Sequence, residues 1–395
     1  MTSHEDAAIV GIYEYPSRVI EGKSPWDIKA ECARLALEDA GLGWQDVDAL
    51  YDAGENGMGA GFTAAEYFGL HPKVMDTTAV GGSSFEFHTA HARRAIREGK
   101  ANVALLTYGS ISRSQSNAIG TGGRVSERVS NPVNNMENPW GLVLVGSYAM
   151  AARRHMYQYG TTPEQLAEVA VTTRYHATRN PDAVNGLSAL GIRHTGELSV
   201  DDVLSSKMVA DPLHVLDCCL ISDGGGAVVI AGSGIVPSTR RQPAWIAGTG
   251  EAIGYRENES DLTLTAATVS GAQAFGEAAI RPDDIDVAMI YDSFTITVLM
   301  TLEDIGFCKK GEGGSYVANG YLRYDHPGGP ALNTDGGGLS SNHPGMRGIF
   351  LLIEAVRQIR GESTSQVDSP AYCLAHGNGG WLTSRHASGT VILAR

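Results

Sequence analysis

Ala40–Tyr51 reads AGLGWQDVDALY, and 238 positions further on Ala278–Met289 reads AAIRPDDIDVAM. Each segment sets an Asp–apolar–Asp turn, Asp46-Val47-Asp48 or Asp284-Ile285-Asp286, directly before an apolar run that predicts a strand. Ahead of each lies another apolar strand, Ala8–Ile12 or Ala244–Ala247, followed by a helix. In the first copy Ala33, Leu35, Ala36, Leu37 and Ala40 give that helix an apolar stripe, and Asp39 with Gly41 marks its end. A strand–helix–strand unit that occurs twice predicts an α/β chain of two duplicated halves with mostly parallel sheets. Pro237–Pro243 (PSTRRQP), polar and bracketed by prolines, separates the copies, so the expected domains are residues 1–236 and 237–395. The first half carries a loop region at about 109–190, because Gly109–Pro139 is rich in Ser, Asn, Gly and Arg and shows little periodicity. Tyr148–Met156 then predicts a helix, and Thr162-Pro163-Glu164-Gln165 starts another with a capping pattern.

A length of 395 residues, at roughly 100–200 per domain, accommodates two such halves with full cores. The net charge of −14 argues against nucleic acid as a partner, while a small anionic ligand can still bind in a locally basic pocket. No stretch approaches the roughly 18 consecutive apolar residues of a membrane-spanning helix, so a soluble chain with no membrane partner is expected. Met1–Asp6 has neither the basic start nor the apolar stretch of a secretory signal, and Leu393-Ala394-Arg395 is not a peroxisomal tripeptide; a cytoplasmic location is the expectation. Cys32, Cys218, Cys219, Cys308 and Cys373 are odd in number and form no CxxC pair, which points to reduced thiols rather than a disulfide framework or a zinc ribbon.

Among candidate sites, Gly248-Thr-Gly250-Glu-Ala-Ile-Gly254 follows a strand but has one residue too many for a dinucleotide-binding GxGxxG turn. No GxSxG elbow occurs, and His88 with His91 lacks accompanying acidic or cysteine ligands, so no metal site is expected. Four glycine-framed segments carry more chemistry: Val80–Phe85 (VGGSSF) before a helix running to Ile96, Ile290–Phe294 (IYDSF) at the end of the second repeat's strand, Gly336–Gly345 (GGGLSSNHPG) before a helix at Ile349–Ile359, and Ala375–Gly380 (AHGNGG). Together they supply strand ends with Tyr, Asp, His and glycine amides, the parts that acyl or enolate chemistry needs for proton transfer and for holding an oxyanion.

In that order along the chain, with Tyr159–Ala167 and Ser222-Asp223-Gly224 between them, these segments resemble the thiolase superfamily, in the branch related to the thiolase part of sterol carrier protein X. The resemblance implies a thiolase fold: two βαβαβ halves packed as a five-layer αβαβα arrangement, with the loop region inserted in the first. It also implies a homodimer. Where the family has its nucleophilic cysteine this chain has Gly82, and Ala375 matches the second, proton-shuttling cysteine; Cys373, two positions away, fits the glycine register poorly. The family's histidine survives as His343. Tyr-Asp-Ser-Phe at 291–294 is similar to the lipid-transfer-protein-type aldolases of steroid side-chain degradation. Those enzymes, as the resemblance implies, cleave a β-hydroxyacyl-CoA into a ketone and propionyl-CoA together with a small zinc-ribbon/OB-fold partner.

Retro-aldol cleavage needs a base at the β-hydroxyl, a sink for charge on the thioester oxygen and an acid for the enolate carbon, but no covalent intermediate and no cofactor beyond the coenzyme A thioester itself. His343 and backbone amides near Gly82 and Gly380 are the expected oxygen donors. Tyr291 is the expected proton carrier, with Asp292 as its alternative or orienting partner, and His376 and Ser341 are lesser candidates for the second proton. A free tyrosine titrates near 10, so Tyr291 needs a lowered pKa or a relay. Two alternatives stand beside this: another CoA-dependent C–C bond-forming acyltransferase using Ser83 or Ser84, and a non-catalytic acyl-CoA-binding subunit.

Overall fold

The structure is a computed structural model that describes residues 5–54, 60–115, 143–255, 261–326, 328–382 and 385–395. Ten strands, β1 (Ala7–Glu14), β2 (Ala49–Asp52), β3 (Val74–Asp76), β4 (Val103–Ser110), β5 (Gly224–Gly232), β6 (Ala244–Tyr255), β7 (Val287–Ile290), β8 (Ala331–Leu332), β9 (Tyr372–Trp381) and β10 (Arg385–Ala394), run in the spatial order β3-β2-β4-β5-β1 and then β6-β10-β9-β7-β8. Reading each half from its own first strand gives the same topology twice, and the two are joined where Ala8 and Ile9 pair with Trp245 and Ala244.

The duplication is real, but the sheets are mixed rather than mostly parallel. Strands β2, β3 and β4 are mutually parallel, and so are β7, β8 and β9, yet β5 and β10 run antiparallel to both neighbours. The strand before each repeated helix keeps the direction that a βαβ unit dictates without pairing to the strand after it. Residue pattern reports a strand's direction through its connection, whereas adjacency is decided by which long apolar strand covers which edge. Here nine-residue β5 offers β1 a longer ladder than four-residue β2 can.

Helix α1 (Pro25–Ala40) starts on a Ser24–Asp27 capping box with Pro25 in its first turn and stops at left-handed Gly41. It packs on β1, and α6 (Ala267–Ala278) packs on β6 in the same way. A methyl group at Gly11 would lie 2.1 Å from the Ala36 carbonyl oxygen, and one at Gly248 would lie 2.1 Å from the Ala274 carbonyl oxygen. Gly248 therefore exists for a close helix–strand approach, repeated at Gly11, and not for a phosphate. Gly248→Ala is expected to cost about 1–3 kcal/mol as α6 is pushed off the sheet, read as a fall in unfolding midpoint.

Between the two halves lie α3 (Ser84–Arg97) and α8 (Gly348–Arg360), which touch strands of both. Helix α8 is buried all round from Ile349 to Val356, as a helix sandwiched between sheets must be. With α1 and α2 (Ala60–Phe68) outside one half and α6 and α7 (Thr295–Ile305) outside the other, the layers alternate αβαβα. Of the expected excursion at 109–139, residues 116–142 lie outside the described residues; the chain beyond them is helical, with α4 (Leu144–Tyr159) and α5 (Pro163–Ala177), the latter starting on the Thr162–Gln165 capping box. No helix among the described residues is long and apolar enough to cross a membrane.

Burying so many polar groups sets a pH window for stability. Burial pulls His88, His176, His343 and His386 down to about 4 and His376 to about 3, so the folded chain binds fewer protons than the unfolded one just below the ordinary histidine range. Stability is then present above about 6.5 and is lost as pH falls toward 4. Burial raises Glu86 to about 8 and Glu354 to about 7, which acts oppositely: their contribution fades as pH rises through those values. Denaturant titrations should give maximal stability near neutrality and a steep loss between about pH 6 and 4.

Candidate active site

Strand β7 ends at Ile290, and the next residue, Tyr291, turns its side chain toward the start of α3. There the chain passes through Gly81 and Gly82 in a single 3-10 turn before Ser84 opens the helix. From the other side of the cavity comes His343, held in the turn between a short helical segment, Gly337–Ser340, and α8. The Tyr291 hydroxyl lies 2.9 Å from His343 Nε2, with the two rings edge to face and their centroids 5.5 Å apart. Both side chains are buried, and both line a cavity of about 310 Å³ together with Gly82 and Gly380. Gly380, at φ 79°, lies near the end of β9, where its backbone touches that of Gly81: a methyl group on Gly81 would lie 3.0 Å from the Gly380 nitrogen.

At Gly82 there is no space for any side chain. A methyl group there would lie 2.1 Å from Tyr291 Cε2 and 2.6 Å from the Asn378 carbonyl oxygen. The phenol ring fills the volume that a side chain at position 82 would occupy.

Electrostatics assign the protonation states. Burial lowers His343 to about 4, helped by the nearby positive charge of Arg347, so its imidazole is neutral near pH 7. Burial drives Tyr291 well above its ordinary 10, so it is a phenol, not a phenolate. The lowered pKa that a tyrosine base would need is absent; a relay through His343 Nε2, 2.9 Å away, is the route that the geometry leaves open. The hydroxyl can pass its proton to Nε2 while accepting another.

A family model described as thiolase C-terminal domain-like matches residues 250–395. Over 95% of its length, and 96% of the relative's, the chain is 32% identical to an acetyl-CoA acetyltransferase of Methanothermobacter thermautotrophicus. The chain belongs to the thiolase superfamily. It falls in the branch that contains the sterol carrier protein 2 thiolases. It is also 31% identical to a steroid side-chain-cleaving aldolase of Thermomonospora curvata, over 91% of this chain and 92% of that one. The solved Ltp2-ChsH2(DUF35) aldolase superposes with a TM-score of 0.84 at 29% identity, over 99% of this chain and 98% of the other.

In this thiolase-superfamily chain the remaining expected site residues sit outside the cavity. Asp292 accepts the Gly338 and Leu339 amide hydrogens at 2.7 and 3.1 Å and lies 3.3 Å from Arg347 Nε. Burial raises its carboxyl to about 6, but it braces the turn before His343 and does not line the cavity with Tyr291. His376 sits on β9 with Nδ1 2.8 Å from Thr390 Oγ1, and Ser341 Oγ lies 3.3 Å from a terminal nitrogen of Arg18. Neither lines the cavity. Ser83 Oγ donates to the Val80 carbonyl and Ser84 Oγ to the Gly81 carbonyl, so both hydroxyls serve the turn. His91 is taken up by Asp76 at 2.5 Å and Glu251 at 2.9 Å, and His88 packs between the rings of Tyr51 and Phe85.

Among the cavity residues that escaped the sequence reading are Tyr148, Cys218 and Cys219. Tyr148 on α4, tilted against Phe294 with centroids 4.3 Å apart, accepts from Asn378 Nδ2 at 3.1 Å and donates to the Gly380 carbonyl at 3.4 Å. Cys218 and Cys219 form part of the wall. Their signal was weak because a lone cysteine pair with no nearby motif looks like ordinary core. Burial raises Cys218 to about 12 and Cys219 well above its ordinary value, which leaves both as thiols rather than thiolates.

Proposed function

We propose that the protein cleaves a β-hydroxyacyl-CoA by a retro-aldol reaction, releasing a ketone and a shorter acyl-CoA without forming an acyl-enzyme. The observation that carries this reading is the phenol ring of Tyr291 standing where a side chain at Gly82 would be, hydrogen-bonded to a neutral His343. Tyr291 takes the proton of the β-hydroxyl as its own moves to His343 Nε2, so no free phenolate forms. The Cα–Cβ bond breaks, the β-carbon becomes the ketone, and its electron pair moves onto the thioester as an enolate. Gly82 and Gly380 line the cavity, and their backbone amides are the proposed donors for that oxygen, while the proton held on His343 passes to the enolate carbon.

The cavity wall is chiefly apolar, with Leu144, Val145, Val215, Ile221 and Phe294, which suits a bulky hydrocarbon substituent. With the Thermomonospora relative named for steroid side chains, the proposed substrate is a steroid side-chain CoA thioester, with propionyl-CoA as the short product. A ChsH2(DUF35)-type partner is proposed for the working assembly, in keeping with the small zinc-ribbon/OB-fold partner that the family resemblance implies, as is a homodimer. Assay of the chain with such a partner against a panel of β-hydroxyacyl-CoAs should show paired release of ketone and acyl-CoA. Release of neither, with the partner bound, would exclude the reaction.

A second reading has one specific support, the two thiols in the cavity wall. An acyltransferase using Cys218 or Cys219 would need a thiolate, which burial opposes at both positions.

A further inference from the structure

The three residues that precede His343 are each gripped by a different buried arginine. Arg174 on α5 donates from Nε to Ser340 Oγ at 2.8 Å. Arg18, beyond the end of β1, donates from Nε to the Ser341 carbonyl at 3.1 Å. Arg347, just before α8, donates to the Asn342 carbonyl at 3.1 Å and to its Oδ1 at 2.6 Å. These three are the largest fully buried side chains among the described residues. Two are neutralised on the spot: Arg18 by Glu14 at 2.8 Å, and Arg347 by Asp335 at 2.6 Å with Asp292 at 3.3 Å. Arg174 is not. No carboxylate among the described residues reaches ion-pair distance of it, one terminal nitrogen donates to the His194 carbonyl at 3.0 Å, and the other has no partner among those residues.

A guanidinium buried without a counter-charge is costly, and bonds to one hydroxyl and one carbonyl return only part of that cost. A residue serving the fold alone would be better replaced by an apolar chain of similar length. We infer that Arg174 is a positioning residue: through Ser340 it completes a three-arginine clamp that holds the turn and keeps His343 Nε2 on the Tyr291 hydroxyl. The inference rests on the proton-transfer reading of that pair for its catalytic consequence, though not for its structural one.

Arg174→Met tests it with three readouts: unfolding temperature, kcat and KM for C–C cleavage, and the imidazole ¹⁵N resonances of His343, assigned with His343→Gln. The expected result is an unchanged or higher unfolding temperature, kcat at least tenfold lower with KM within twofold, and a shifted His343 resonance while that of His88 stays put. Arg174→Lys should recover part of kcat, because an ammonium can still donate to Ser340 Oγ. In a Tyr291→Phe background the kcat loss from Arg174→Met should vanish, since the positioned group then has nothing to serve. Unmoved His343 resonances, or an equal loss in the Tyr291→Phe background, overturns the clamp. A shifted resonance combined with full cleavage by Tyr291→Phe would instead keep the clamp and remove the proton-transfer role.

Discussion

Tyr291→Phe should lower C–C cleavage by about 10²–10⁴-fold while leaving the fold and the unfolding midpoint nearly intact. The substitution deletes one oxygen and keeps the ring that fills the space at Gly82. What it loses is the atom 2.9 Å from His343 Nε2, the only hydroxyl among the described residues bonded to that imidazole. A buried histidine whose pKa lies near 4 stays uncharged throughout the neutral range, so the variant's defect should be similar at pH 6 and pH 8. Steady-state rates at both values, with circular dichroism as the control for folding, check this. A loss confined to one end of the pH range would place the essential proton elsewhere.

Gly82→Ala is expected to abolish cleavage to a similar extent by a different route. Its methyl group would enter the Tyr291 ring at 2.1 Å, far inside any real contact, and would press on the Asn378 carbonyl at 2.6 Å. Either the ring leaves His343 or the start of α3 moves, and a stability cost of about 1–3 kcal/mol should accompany the lost activity. In a Tyr291→Ala background the vacated ring volume admits the methyl group, so the stability cost of Gly82→Ala should shrink; a thermal-unfolding double-mutant cycle measures the coupling. Fully additive costs would show that ring and glycine do not compete for one volume.

The repeat was legible because Asp46-Val47-Asp48 and Asp284-Ile285-Asp286 sit at equal distances from the helices they follow, and those helices recur as α1 and α6. Sheet order was not, since nothing in the residue pattern of β5 says that it inserts between β1 and β4. Tyr291, His343, Gly82 and Gly380 were legible because they belong to glycine-framed strand ends and turns that converge on one cavity. Asp292, Ser341 and His376 carried the same local signal, yet they brace those turns and strands instead. Direction decides the difference: Asp292 follows Tyr291 directly but points at the amides of Gly338 and Leu339, a choice made by residues 46 and 47 positions away. The arginines were invisible for the same reason, because Arg18 meets Ser341 across 323 residues of chain. Gly248 was read as a spurious nucleotide motif, and only its contact with Ala274 shows why a glycine stands there.

The proposed cleavage breaks the carbon–carbon bond without the acyl group ever joining the protein. Intact-protein mass spectrometry of quenched single turnovers, with a β-hydroxyacyl-CoA and the proposed partner present, addresses it directly. Ketone and short acyl-CoA should accumulate while the protein mass stays constant at every time point. An acyl adduct on Cys218 or Cys219 that appears and decays at the rate of turnover would contradict the proposal.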